Sequence, residues 1–250
     1  MLSFLFIIVG NLLAQDDGYD TRKILEDLRQ DQLEIKRDLS EIKALLSKMP
    51  TLPLISQRPP LNVKDVDFDL GNTHILGQDD AKLILVEFTD YECQFCSRYV
   101  KETFPQIQKA YVDKGIIKYA VVDQPLAIHP NAERASQAAH CAAEQGKFWE
   151  IHKLMMMRQD SLGDLFSYAR TLGLNISEFK DCVETEKYSA NVAHNKSLAM
   201  KLGINAVPCF IIGIADQHNP GIVKGISSIR GALPFSIFQQ EIDAALNAND

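Results

Sequence analysis

The feature that most constrains this 250-residue chain is a nearly continuous apolar run, KLILVEFT at residues 82–89, with Cys93-Gln94-Phe95-Cys96 close behind it. A run with no polar face marks a strand buried on both sides. Residues 97–112 then take helical spacing: Cys96, Val100, Phe104, Ile107 and Tyr111 share a face, with a kink expected at Pro105. IIKYAVV at 116–122 is a second buried strand, so the order strand, helix, strand predicts a βαβ unit. From residue 130 to about 200 the pattern is helical, with breaks at Gly146, Gly163 and Gly173. Residues 63–70 alternate like a short strand, CFII at 209–212 reads as another, 222–226 as its partner, and 235–246 as a last amphipathic helix. The class is α/β: two parts, 62–126 and 201–250, flank a helical stretch at 127–200.

The chemistry falls on the CxxC. It follows a buried strand and opens a helix, so the Cys93 sulfur faces free N–H groups and the positive end of the helix dipole. That lowers a thiol's pKa and makes Cys93 the nucleophile. Cys96 lies one turn on, on the apolar face, and is the shielded, resolving thiol. Zinc is the competing reading. It needs four ligands, and the chain has no second CxxC and no paired His-x3-His, while His74, His129, His140, His152, His194 and His218 are dispersed. A purely structural CxxC bridge would close too small a loop to stabilise much. No metal and no cofactor is called for.

Two further positions bear on this chemistry. Glu87 is a lone carboxylate inside the apolar run; buried, it would have a raised pKa and could relay a proton to or from Cys96, whereas at the strand end it would simply point outward. Pro208 precedes the strand CFII. A proline there is often an edge device, or a cis bond could present the Val207 backbone to an extended substrate.

The N-terminal quarter is different. MLSFLFIIVGNLLA at 1–14 is apolar and uncharged, too short to cross a bilayer core of ~30 Å, and suits the apolar part of a signal peptide or a short anchor. Residues 21–49 form a heptad: Leu25, Gln32, Leu39 and Leu46 at a, and Leu28, Ile35, Ile42 and Met49 at d. In a parallel coiled coil Asp31 and Asp38 at g would face Lys36 and Lys43 at e, opposite signs both times. Leucine at a with isoleucine at d favours a trimer or tetramer over a dimer. The alternative is an amphipathic helix folded back on its own domain. Pro50, Pro53, Pro59 and Pro60 then make 50–61 a semi-rigid spacer. The net charge of −7 argues against nucleic-acid partners, which need phosphate neutralisation.

Four stretches together resemble the DsbA-like branch of the thioredoxin superfamily: GQDDAKLILVEFTDYECQFC at 77–96, HPNAERASQAAHCAAEQGKFWEIHKLM at 129–155, INAVPCFIIG at 204–213, and GALPF before the last helix. The resemblance spans residues 63–247. It implies a thioredoxin fold with an inserted helical domain, and disulfide exchange on exported, unfolded or misfolded proteins in the periplasm or outside the cell. It implies a membrane or soluble redox partner. It makes Cys93 the attacking and Cys96 the resolving cysteine, Glu87 the buried acid and Pro208 the cis-proline, with Val207, Gln94 and Phe95 meeting the substrate. Gln94-Phe95 lacks the histidine of the strongly oxidising members, so a milder oxidant is expected. Cys209 is either a third thiol near the pair or a small core residue. Similar cysteine pairs occur in some relatives, so Cys141 and Cys182 are a bridge or two separate core thiols. The function expected is a thiol–disulfide oxidoreductase, oxidase or isomerase; the alternative is an oligomeric peptide-binding chaperone or adaptor without turnover.

Overall fold

The computed structural model describes residues 21–48, 61–216, 218–219 and 221–248. The signal-like segment at 1–14 and the proline-rich residues 50–60 lie outside the described residues, as does the last heptad position, Met49.

Two units are resolved. The described part of the first is one helix, α1 (Thr21–Lys48), about 42 Å long at ~1.5 Å per residue. It runs unbroken because nothing in it is Gly or Pro. Leu25, Leu28, Ile35, Leu39 and Ile42 are all more than half exposed along it.

The second unit is built on a six-stranded mixed sheet in the order β1-β6-β5-β3-β4-β2. Its strands are β1 (Asp67–Asp69), β2 (Ile75–Leu76), β3 (Leu83–Thr89), β4 (Ile117–Asp123), β5 (Cys209–Ala215) and β6 (Ile222–Arg230). β3 and β4 pair in parallel, and the remaining pairs are antiparallel. Every residue of β3 and β4 is buried. Since side chains alternate across a strand, both faces of the sheet are covered there. The strand expected over 63–70 is confined to three residues. Asp65 takes a left-handed φ of 61°, and Val66 N–H turns back to the Val63 carbonyl at 3.1 Å, so the chain enters the ladder only at Asp67.

The βαβ connection is α2 (Gln94–Glu102) followed by α3 (Phe104–Ile107) and a π-helical turn (Gln108–Val112). The break falls at Thr103, because Pro105 has no N–H to give the preceding turn and fits the start of a new helix instead. Between β4 and β5 lies the helical insert: α4 (Ala132–Ala143), α5 (Phe148–Met157), α6 (Leu165–Thr171), α7 (Ile176–Glu184) and α8 (Ser189–Lys201). Gly146 and Gly173 adopt φ near 70° just past α4 and α6, the left-handed conformation that ends a helix without a Cβ penalty. Cys141 on α4 and Cys182 on α7 are joined in a disulfide. The last helix, α9 (Phe235–Asn247), buries Phe238 against Tyr99 of α2 and Phe210 of β5, with ring centroids 5.4 and 4.8 Å apart.

Candidate active site

The site forms where β3 ends and α2 begins. Cys93 is the N-cap of α2, with extended φ and ψ of −74° and 116°. Its N–H bonds the Asp90 carbonyl at 3.1 Å, and its carbonyl accepts the Ser97 N–H at 3.1 Å, the first bond of the helix. The residues that follow therefore point their amide hydrogens at the Cys93 sulfur. Its pKa falls to about 6. The hydrogen bond from the Cys96 thiol contributes most, ahead of the N–H groups of Cys96 and Phe95; burial and the Asp90 charge act in the opposite direction. The N–H groups at the helix start lower it, but the neighbouring thiol contributes more. Cys96 is completely buried, and burial, Cys93 and Glu87 hold its pKa well above the usual range. One sulfur is therefore ionised near neutrality, and the other waits as a thiol.

Facing Cys93 is the loop before β5. The Val207–Pro208 bond is cis. The Cys93 sulfur lies 3.7 Å from the Val207 carbonyl oxygen. β5 is bonded on one side to β3 and on the other to β6, so the edge-device reading of Pro208 does not hold: the proline starts a central strand. Phe95 is 57% exposed, under the Arg98 guanidinium at 5.1 Å, and Gln94 is exposed beside it. Cys209 is buried in the core, opposite Phe88 and Arg230, and burial raises its pKa to about 11.

Glu87 does not point outward. It is completely buried and accepts a hydrogen bond from the Tyr119 hydroxyl. Burial raises its pKa to about 7 against the opposing hydrogen bond of Tyr119. A carboxyl that half-ionises near neutrality can both take and give a proton.

Sequence reasoning missed three further residues around Cys93. Asp90 is fully buried; its carboxylate accepts the Glu92 and Leu126 N–H groups, each at 2.7 Å, and His129 Nδ1 at 2.8 Å. Gln159, from the insert, donates to the Tyr91 carbonyl at 2.7 Å and the Cys93 carbonyl at 3.0 Å. Ser97 on α2 donates to the Met156 carbonyl at 2.6 Å, so the insert is fastened to the active helix at two points. Asp90 and His129 lie within the family-like stretches at 77–96 and 129–155, whereas Ser97 and Gln159 fall outside them and carried no signal in the sequence.

The histidines are not all dispersed in space. His74 Nε2 lies 3.2 Å from His140 Nδ1, and both rings, with that of His152, gather on Phe148. Burial lowers the pKa of His74 and His152 to about 4. His140 is instead raised: burial opposes this, but the Asp123 carboxylate, 2.8 Å from Nε2, prevails. No group of three or more His, Cys, Asp or Glu among the described residues could hold a metal ion.

Residues 69–229 match the thioredoxin family. The chain belongs to that family. It is DsbA-like within it: alpha-DsbA1 of Wolbachia pipientis superposes with a TM-score of 0.61 at 26% identity, over 71% of this chain and 92% of that one. Disulfide bond formation protein D of Bacillus subtilis is 28% identical over 151 residues, 55% of this chain and 66% of that protein. The Na(+)/H(+) antiporter NhaA 3 of Salinispora tropica is 30% identical over 166 residues, 65% of this chain. The matched segment is about a quarter of that antiporter's length. Among the described residues no helix is long and apolar enough to cross a membrane.

Proposed function

We propose that this chain is a thiol–disulfide oxidoreductase acting on exported proteins through Cys93 and Cys96. The observation that carries the reading is a Cys93 thiol lowered to about 6 and set 3.7 Å from the Val207 carbonyl, where a substrate segment can lie alongside it. In the reducing direction the Cys93 thiolate attacks a substrate disulfide, forms a mixed disulfide and releases one substrate thiolate. Cys96 then gives up its proton and attacks the Cys93 sulfur. The second substrate thiolate leaves: the Cys93–Cys96 pair has been oxidised to a disulfide, and the two electrons it gave up have reduced the substrate disulfide to two thiols. The reverse sequence oxidises a substrate dithiol, and a redox partner resets the pair.

Three features support export and assembly. The segment at 1–14 is signal-like, and the bridge between Cys141 and Cys182 is of a kind that persists in oxidising compartments. Leu25, Leu28, Ile35, Leu39 and Ile42 at a and d of α1 are exposed along one register with complementary e and g charges, which suits a trimer or tetramer of this chain. Several redox sites on one stalk hold a misfolded client multivalently, which favours isomerase over oxidase activity. Gln94-Phe95 supplies no cation to the thiolate, so the pair is a milder oxidant than one with a histidine in that dipeptide.

The test is insulin reduction and refolding of scrambled ribonuclease, comparing wild type with Cys93→Ser. The variant should lose both activities. Equal activity in the two proteins would overturn the enzyme reading in favour of a peptide-binding adaptor.

A further inference from the structure

Glu87 is the one charged side chain of β3, a strand with all seven residues buried. Its partner in the parallel ladder is Val121, and Tyr119, two residues earlier on β4, presents its side chain to the same face of the sheet. The Tyr119 phenol donates to Glu87 Oε2, while among the described residues no group lies at hydrogen-bonding distance and angle from Oε1. Tyr119 is itself completely buried, its ring 4.4 Å from Phe104 and 6.0 Å from Trp149, centroid to centroid. Packed on both sides, it cannot swing away from the carboxyl. Tyr99, three residues after Cys96 on α2, brings a second buried hydroxyl close to Tyr119. The carboxyl and the two phenols thus come from β3, β4 and α2 and meet behind the resolving cysteine.

We infer that Tyr119 is a positioning residue for the resolving step, its phenol fixing the Glu87 carboxyl so that it can receive the Cys96 proton. The inference rests on the oxidoreductase reading above and adds to it the group that governs the buried acid. In the step, the Cys96 S–H proton passes to Glu87 and the Cys96 sulfur attacks Cys93. The bond from Cys93 to the substrate sulfur breaks, and the substrate leaves as a thiolate. Cys96 needs this help because its thiol is held well above the usual range. Glu87 can give it only if the carboxyl is ionised for part of the time at neutral pH. Burial works against that, and the Tyr119 hydrogen bond is the largest opposing influence.

The test replaces one atom. In Tyr119→Phe the Glu87 carboxyl loses its donor. Its titration, followed by 13C NMR in the reduced protein and assigned by its loss in Glu87→Gln, should move up by about one pH unit. The pH profile of insulin reduction should move up with it. Replacing Tyr119 by 3-fluorotyrosine, a stronger donor of the same shape, should move both down. Adding Tyr119→Phe to Glu87→Gln should leave the profile of the latter unchanged. A Glu87 midpoint indifferent to both replacements, with turnover intact, overturns the role of Tyr119 alone, as does a profile shift that persists without Glu87. A Tyr119-dependent titration in a wild type that turns over no disulfide overturns the oxidoreductase reading, and the resolving role with it.

Discussion

The Asp90 carboxylate accepts a hydrogen bond from His129 Nδ1 at 2.8 Å, and the Asp90 carbonyl accepts the N–H of Cys93 at 3.1 Å. One buried residue therefore holds the loop before the nucleophile and the segment after β4 in a single arrangement. It also sets an anion near the thiolate, where it works against ionisation of Cys93.

Replacing Asp90 by Asn should separate these two effects. The Cys93 half-ionisation point, read from the pH dependence of iodoacetamide alkylation, should fall by about half a unit to one unit. The melting temperature should fall too, since a buried charge-assisted hydrogen bond is worth about 1–3 kcal/mol. An alkylation midpoint that rises would contradict the electrostatic role given to Asp90.

In the wild type, alkylation of Cys93 should be half-maximal near pH 6, with Cys96 inert until far higher pH. A folded pKa below the unfolded one adds stability that is complete above the unfolded value and vanishes as pH falls through the folded one. The reduced protein should therefore gain stability relative to the oxidised protein as pH rises from about 6 to about 9. Urea denaturation of both forms across that window checks this.

Glu87 has the opposite sign. Its folded pKa of about 7 lies above the model-peptide 4.5, so the stability it confers is complete at low pH and is lost as pH rises through that interval. Glu87→Gln removes this loss and should be more stable than wild type above pH 7 by about 3 kcal/mol, and close to it at pH 4. Chemical denaturation at the two pH values measures the difference.

The bridge between Cys141 and Cys182 spans a sequence separation of 41. A closed loop of that size constrains the unfolded chain by about 4 kcal/mol. The double variant Cys141→Ala, Cys182→Ala should unfold at correspondingly lower denaturant, while its Cys93 alkylation profile stays where it was.

For α1 the measurement is sedimentation. A protein starting at residue 21 should run as a trimer or tetramer and one starting at residue 61 as a monomer. A monomer in both cases would remove the stalk from the proposed mechanism.

The sequence by itself determined the local features. The unbroken apolar run became β3, the CxxC opened α2, and Pro105 broke the helix within two residues of its own position. Glu87 stood out because a charge inside an all-apolar strand has few places to go. These are properties of neighbours along the chain, and pattern and propensity report them directly. The tertiary structure alone decided which distant groups meet. Tyr119 lies 32 residues from Glu87, His129 39 from Asp90, and Gln159 66 from Cys93, and no spacing rule connects them. Pro208 shows the same limit: before a strand it could start an edge or a centre, and only the pairing of β5 with β3 and β6 decided. Proton affinity follows these encounters, because burial and partner charges are set by what the fold packs around a group and not by what precedes it in the chain.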